Sequence, residues 1–306
     1  MALLDRALVR ALPAVPRPVV KRLSERYIAG PQLADACRVV KDVNANGKMA
    51  TIDVLGEEVT NREEALTLVE EYRHVFETIS IQGLDSNVSV KPTGLGLKLG
   101  AEFARTAVGT VVRTAAERNN FVRIDMEDAS TTDGTLELYR SLRSDGLDNV
   151  GIVLQARLHR TLADAAALAD LRPSVRVCKG IYVEPPEIAY QDPDTIRENF
   201  VDCVEALLDN GSYVAVATHD EWIVEEAKRL IRAHRLGREQ YEFQMLLGVR
   251  ERLGDRLVAE GHRLRIYVPY GRRWYEYSLR RLQENPSIAG HVARDTVGRF
   301  LGLNGR

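Results

Sequence analysis

The run VGIVLQARLHRTLADAAALADLRPSVRVCKG, from Val150 to Gly180, decides how the rest of this chain is read. It begins with an apolar, β-branched strand over Val150 to Ala156, passes through an amphipathic helical stretch, TLADAAALADL, and ends in a second strand over Val175 to Lys179. Strand, helix, strand is a βα repeat. The same alternation continues in both directions, with strands expected at Ala50 to Leu55, Asn87 to Lys91, Phe121 to Asp125, Tyr213 to Thr218, Tyr241 to Met245 and Leu264 to Val268. Helical runs such as REEALTLVEEYRHVFETI, AEFARTAVGTVVRTAAERN and DTIRENFVDCVEALLDNG lie between them, each amphipathic and ending near Gly, Asn or Pro. Eight such units within about 250 residues fit a closed (β/α)8 TIM-type barrel better than an open doubly wound sheet. No GxGxxG follows the first strand, which weighs against a dinucleotide-binding Rossmann domain.

The barrel is expected over residues 46–306, behind an N-terminal helical arm of residues 1–45 whose Arg- and Leu-rich patterns are interrupted by Pro13, Pro16 and Pro18. Packing against the body or a neighbouring subunit in a homo-oligomer is the favoured use of such an arm, and peripheral contact with a membrane is the alternative. With 306 residues and 45% hydrophobic content the chain has ample material for a packed core. A net charge of −2 supplies no global field for nucleic acid, so no nucleic-acid role is expected and any basic site must be local. Cys37, Cys178 and Cys203 form neither a disulfide framework nor a metal-ligand spacing, which favours a reducing compartment. The histidines include no HExxH pair, and no metal is expected. Nothing reads as a signal peptide or a transmembrane run. The expected location is the cytoplasm, with the arm as the one route to the inner membrane.

In a barrel of this kind ligand chemistry collects at the carboxyl ends of the strands. Those ends supply Glu57, Lys91, Asp125 with Glu127, Gln155, Arg176 with Lys179, Thr218 with His219, Gln244 and Tyr267. Any one of them reads as readily as a helix cap or a layer-filling side chain, but a polar group at every strand end points to a site. Lys91, Arg176 and Lys179 are cations in strands expected to be buried, where an unpaired charge costs on the order of several kcal/mol. They need anions nearby, and Asp125 and Glu127 are the candidates. The last unit, LRIYVPYGRRWYEYSLRRLQENP from Leu264 to Pro286, is expected to break its strand at Pro269 and Gly271. Tyr277, Arg280, Arg281 and Glu284 then recur at helical spacing along one face, and paired guanidinium forks suit a carboxylate or phosphate. The pocket so assembled holds more positive than negative charge and leaves room for an anionic ligand. From the residues alone, three readings stay open: a pocket for an anionic substrate, a Schiff-base lyase using Lys91 or Lys179, and a barrel that only binds amino acids.

The motif series DVLGE, VSVK, IDMED, LQAR, VRVCKG, ATH, EFQML, RIYVPYG and YSLRRLQEN runs over about residues 45 to 290. It resembles flavin-dependent proline dehydrogenase, both the single-function enzymes and the barrel domain of the bifunctional proline utilisation proteins. The resemblance implies a distorted (β/α)8 barrel holding FAD, in which L-proline is oxidised to Δ1-pyrroline-5-carboxylate as the first step of proline catabolism and a quinone-type acceptor reoxidises the flavin. It further implies that Arg280 and Arg281 clamp the substrate carboxylate, Lys91 adds a third cation, Tyr267 and Tyr277 wall the proline ring and Leu246 joins the substrate pocket. Tyr277 is similar to the residue that favours proline over hydroxyproline. Asp125, hydrogen-bonded to Tyr267, and Arg176, near the flavin N5, are the implied catalytic residues. Met126, Gln155, Arg176, Lys179, Gly180, Ile181, Thr218, His219 and Glu284 are the implied cofactor contacts, and Glu57 pairs with Arg280 as a gate. Val183, where many relatives carry tryptophan, is a departure beside the expected flavin. No aldehyde dehydrogenase half follows the barrel, so the product is expected to pass to a separate pyrroline-5-carboxylate dehydrogenase.

Overall fold

Eight parallel strands close on one another in chain order in the computed structural model, which describes residues 26–56, 59–275 and 278. They are β1 (Met49–Val54), β2 (Ser86–Val90), β3 (Val122–Ile124), β4 (Val150–Gln155), β5 (Ser174–Cys178), β6 (Tyr213–Ala217), β7 (Tyr241–Leu246) and β8 (Leu264–Tyr270). Closure is the pairing of β8 back to β1, with Thr51 opposite Tyr267 and Asp53 opposite Pro269. Between the strands lie α2 (Arg62–Gln82), α3 (Ala101–Ala116), α4 (Thr132–Ser144), α5 (Thr161–Ala167), α6 (Pro193–Asp209), α7 (Glu221–Ala233) and α8 (Glu251–Ala259). One more helix, α1 (Leu33–Ala45), precedes β1 and buries Ala36, Cys37 and Val40 in the same core as the strands. Asn44 ties its end to the start of β2, accepting from the Asp85 N–H at 2.9 Å and donating to the Asp85 carbonyl at 3.1 Å. The arm's residues 1–25 lie outside the described residues.

Local sequence accounts for where the helices begin and end. Asn61 caps α2 by accepting from the Glu64 N–H at 2.9 Å, and Gly83, at φ 59°, ends it in the left-handed conformation that glycine adopts without strain. Asp192 caps α6, and Pro193 follows it in the first turn, where the missing N–H costs nothing.

Most of the strands carry two unlike faces. Ile52, Val88, Ile124, Ile152, Val175, Val216, Phe243 and Ile266 point at the helices and form one annular apolar core with residues such as Phe76, Val108 and Phe200. At alternate positions the strands carry Asp53, Ser89, Arg123, Arg176, Glu242, Gln244 and Arg265, all buried. These point into the barrel, because their bonds join strands that are not neighbours: Arg176 of β5 donates to Ser89 of β2 at 3.1 Å. A barrel interior is usually filled with layers of branched apolar side chains. This one is filled with a hydrogen-bonded polar network, and the hydrophobic stabilisation comes from the annulus.

One expectation needs correction. The last strand does not break at Pro269 but runs on to Tyr270. The β7 ladder ends with Leu246 opposite Tyr267, so Pro269 stands where no β7 partner needs its missing N–H, and its carbonyl accepts from the Ala29 N–H at 2.9 Å. The turn comes at Gly271, whose φ of 138° excludes most side chains and whose N–H donates to the Gly30 carbonyl.

Candidate active site

Five charged or phenolic side chains meet where β1, β2, β3, β5 and β8 end. Lys91, directly after β2, donates to the Asp53 carboxylate at 2.7 Å and to the Tyr267 hydroxyl at 3.5 Å. Tyr267 in turn donates to Asp125 at 2.8 Å, and the other Asp125 oxygen accepts from Arg176 at 2.6 Å. The Arg176 guanidinium also stands 5.3 Å from the centre of the Tyr267 ring, close enough for a cation–π contact. Burial, and then the Asp125 carboxylate, push the Tyr267 phenol well above its ordinary value, so it acts as a hydrogen-bond donor. Each cation here has its carboxylate, which is how the chain tolerates them in so enclosed a place.

A second group closes the β4 to β7 side. Gln155, buried at the end of β4, donates to the Glu127 carbonyl at 2.6 Å, while the Glu127 carboxylate accepts from the Thr93 N–H at 2.8 Å. Lys179 and Arg197 share one oxygen of Asp220, at 2.5 and 2.7 Å. Burial raises the Asp220 carboxyl, but those two bonds outweigh it and hold the group below the usual carboxylate range. Asp220 also caps α7 through the Trp222 N–H, so the helix start is pinned to the same pair of cations. His219 accepts the Leu246 N–H at its Nε2, 2.9 Å away, which puts the ring proton on Nδ1. Thr218 receives the N–H of Asp220 at 3.1 Å. Gly180 has φ 93°, and a Cβ there would stand 2.7 Å from the Gln155 amide oxygen, so the backbone beside Lys179 is necessarily bare. Beyond it the chain turns apolar side chains outward: Ile181 is 41% and Val183 94% exposed.

A model of one family, described as proline dehydrogenase, matches residues 36–294. The chain belongs to the proline dehydrogenase family. It is 37% identical over 276 residues to the proline dehydrogenase of Deinococcus radiodurans and 38% identical over 271 residues to proline dehydrogenase 1 of Bacillus subtilis subsp. natto. Each match covers 89% of both chains. In three dimensions it is similar to proline utilization A from Bdellovibrio bacteriovorus inactivated by N-propargylglycine, with a TM-score of 0.83 at 24% identity. That match covers 91% of this chain and 36% of the larger one, and it is a likeness of fold.

Against the pattern of the proline dehydrogenase family, the structure brings Lys91, Asp125, Arg176 and Tyr267 into one cluster and places Gln155, Lys179, Gly180, Ile181, Thr218, His219 and Leu246 around the same end of the barrel. Met126 is buried and packs into the annular core. Glu57, Tyr277, Arg280, Arg281 and Glu284 lie outside the described residues. Three acids went unread in the sequence, Asp53, Asp220 and Glu242. Asp53 sits in the DVLGE run, where Glu57 drew attention, and alternation from the buried Thr51 was the signal that it faces inward. Asp220 looks like an ordinary helix cap, which it also is. Glu127, a candidate to balance a cation, accepts from both the N–H and the hydroxyl of Thr93.

Proposed function

We propose that this chain oxidises L-proline to Δ1-pyrroline-5-carboxylate with FAD as its hydride acceptor. Membership of the proline dehydrogenase family carries the reaction, and the family is flavin-dependent. The residues at the barrel mouth fit a flavin nucleotide: donors on Gln155, Arg176 and Lys179 adjoin the bare backbone of Gly180 and the outward apolar surface of Ile181 and Val183. Arg176, Gln155, Lys179, Thr218 and His219 would hold it, and when bound it supplies a two-electron acceptor for hydride. In proline the C–H bond on the ring carbon beside nitrogen breaks, its electron pair leaves as hydride, the N–H proton departs and a C=N bond forms in the ring.

The chain's share of this work is positioning and charge. Lys91, braced by Asp53 and Tyr267, contributes positive field for the substrate carboxylate, and Arg280 with Arg281 would grip it bidentately. Tyr267, locked by Asp125, presents a ring wall against which proline packs. Arg176 provides preorganised positive charge where negative charge develops during hydride transfer. A quinone-type acceptor would close the redox cycle, and the product would pass to a separate pyrroline-5-carboxylate dehydrogenase. A Schiff-base reading fits less well, since Lys91 and Lys179 are both engaged in ion pairs, whereas such a lysine must offer its amine to a carbonyl.

Anaerobic titration of the purified holoenzyme with L-proline tests the proposal. Bleaching of the visible flavin absorption, with pyrroline-5-carboxylate formed in equal amount, is the expected result. A spectrum unmoved by saturating proline would overturn it.

A further inference from the structure

Arg176 reaches the active end with three of its N–H groups already committed. Nη1 donates to Asp125 at 2.6 Å and Nη2 to Ser89 at 3.1 Å, both on one side of the lumen, while Nε donates to the side-chain oxygen of Gln244 on the other. Gln244 is 5% exposed, and two residues earlier on β7 stands Glu242, 2% exposed. The Glu242 carboxylate accepts from Arg265 at 2.8 and 3.1 Å, from the Tyr213 hydroxyl at 3.1 Å and from the NH2 of Gln244.

An amide can turn over and exchange its oxygen for its nitrogen, and in one of the two orientations Gln244 would point N–H at N–H towards Arg176. Glu242 removes that choice. An ionised carboxylate accepts and does not donate, so the amide nitrogen must face Glu242 and the oxygen must face Arg176. Arg265 in turn keeps the carboxylate ionised, so β8, β7 and β5 are joined by bonds that converge on Glu242: Arg265 and Gln244 both donate to it, and Arg176 donates to Gln244.

We propose that Gln244 is a positioning residue for proline oxidation, setting the plane of the Arg176 guanidinium, with Glu242 fixing the amide that does so. The proposal rests on the reading that Arg176 faces the reacting atoms. Gln244 lies below that end, so its effect reaches the reaction only through Arg176, and this separates it from a residue that lines the pocket.

The test is a double-mutant cycle on the holoenzyme with Gln244→Met, Arg176→Lys and the pair, following kcat, KM for proline, flavin content and the flavin absorption spectrum. Lysine keeps a positive charge but has no Nε fork for Gln244 to hold. With wild-type Arg176, Gln244→Met should lower kcat about 10- to 100-fold, the scale of a misplaced catalytic group, and shift the flavin spectrum while KM moves under about threefold. In the Arg176→Lys background the same change should cost less than about twofold, because the fork that Gln244 orients is gone. Gln244→Asn keeps an amide but withdraws it by one methylene, and it should give the same pattern if the Met variant does not fold. Equal losses in both backgrounds, or a Gln244 variant with parent-like kcat, would overturn the proposal. A parent-like Arg176→Lys enzyme would remove the reading of Arg176 itself, and the role of Gln244 with it.

Discussion

Asp53 has no exposed surface, and its carboxylate is what makes Lys91 tolerable inside the barrel. Breaking a buried pair by removing one partner typically costs about 3–5 kcal/mol, more than the pair itself is worth against apolar packing. Asp53→Asn is therefore expected to lose stability on that scale in chemical denaturation and to raise the proline KM, because Lys91 is no longer braced. Glu242 makes a prediction about acid. Burial alone would raise its carboxyl, yet Arg265 and the bonds from Arg265 and Gln244 pull it down to about 2 from an ordinary 4.5. A depressed carboxyl stabilises the folded state above its unfolded value and loses that contribution as pH falls towards the folded one. Thermal unfolding midpoints should accordingly drop between pH 4.5 and 2. In Glu242→Gln the starting midpoint should be lower and this part of the slope reduced.

The fourth strand carries a constraint of a different kind. Gly151 lies opposite Arg123 in the register, and a Cβ there would come within 2.6 Å of the Ser174 carbonyl and 2.7 Å of the Phe121 ring while striking Arg123 itself. Glycine is needed for space, since its backbone is that of an ordinary strand. It leaves room for a wholly buried guanidinium that donates to the Ser174 and Ile152 carbonyls at 2.6 and 3.1 Å. Burial, with Arg176 nearby, lowers Arg123 to about 9, while the Glu242 carboxylate acts in the opposite direction. Gly151→Ala should destabilise the protein by about 1–3 kcal/mol through overpacking, seen as a lower unfolding midpoint. The eighth strand illustrates the opposite case, in which an apparent breaker, Pro269, is accommodated because its neighbour β7 has already ended.

The molecule keeps apolar packing and chemistry in separate layers. Apolar packing occupies the annulus between strands and helices, while the lumen is given to polar groups that bond across it. Phe200 on α6 is fully buried in the annulus, and its truncation to alanine should cost about 3–5 kcal/mol. Measured at a temperature where the variant is folded, its kcat and proline KM should stay close to those of the parent, whereas a lumen variant such as Asp53→Asn should change them. No helix among the described residues is long and apolar enough to cross a membrane.

Alternation of apolar runs was enough to place all eight strands to within two residues, because a strand buried on its outer face must show that face in its own sequence. The strand-end cations and the motif series were equally legible, being short and contiguous. Which partners they chose was not. Arg176 bonds to Ser89 at a separation of 87 residues and Tyr267 to Asp125 at 142, and no local pattern encodes such a pairing. Period-two alternation says only that a side chain faces the lumen. Barrel closure and strand register decide what stands opposite it, so the acids Asp53 and Asp220 and the line from Arg265 to Arg176 exist as a site only once the eight strands have met.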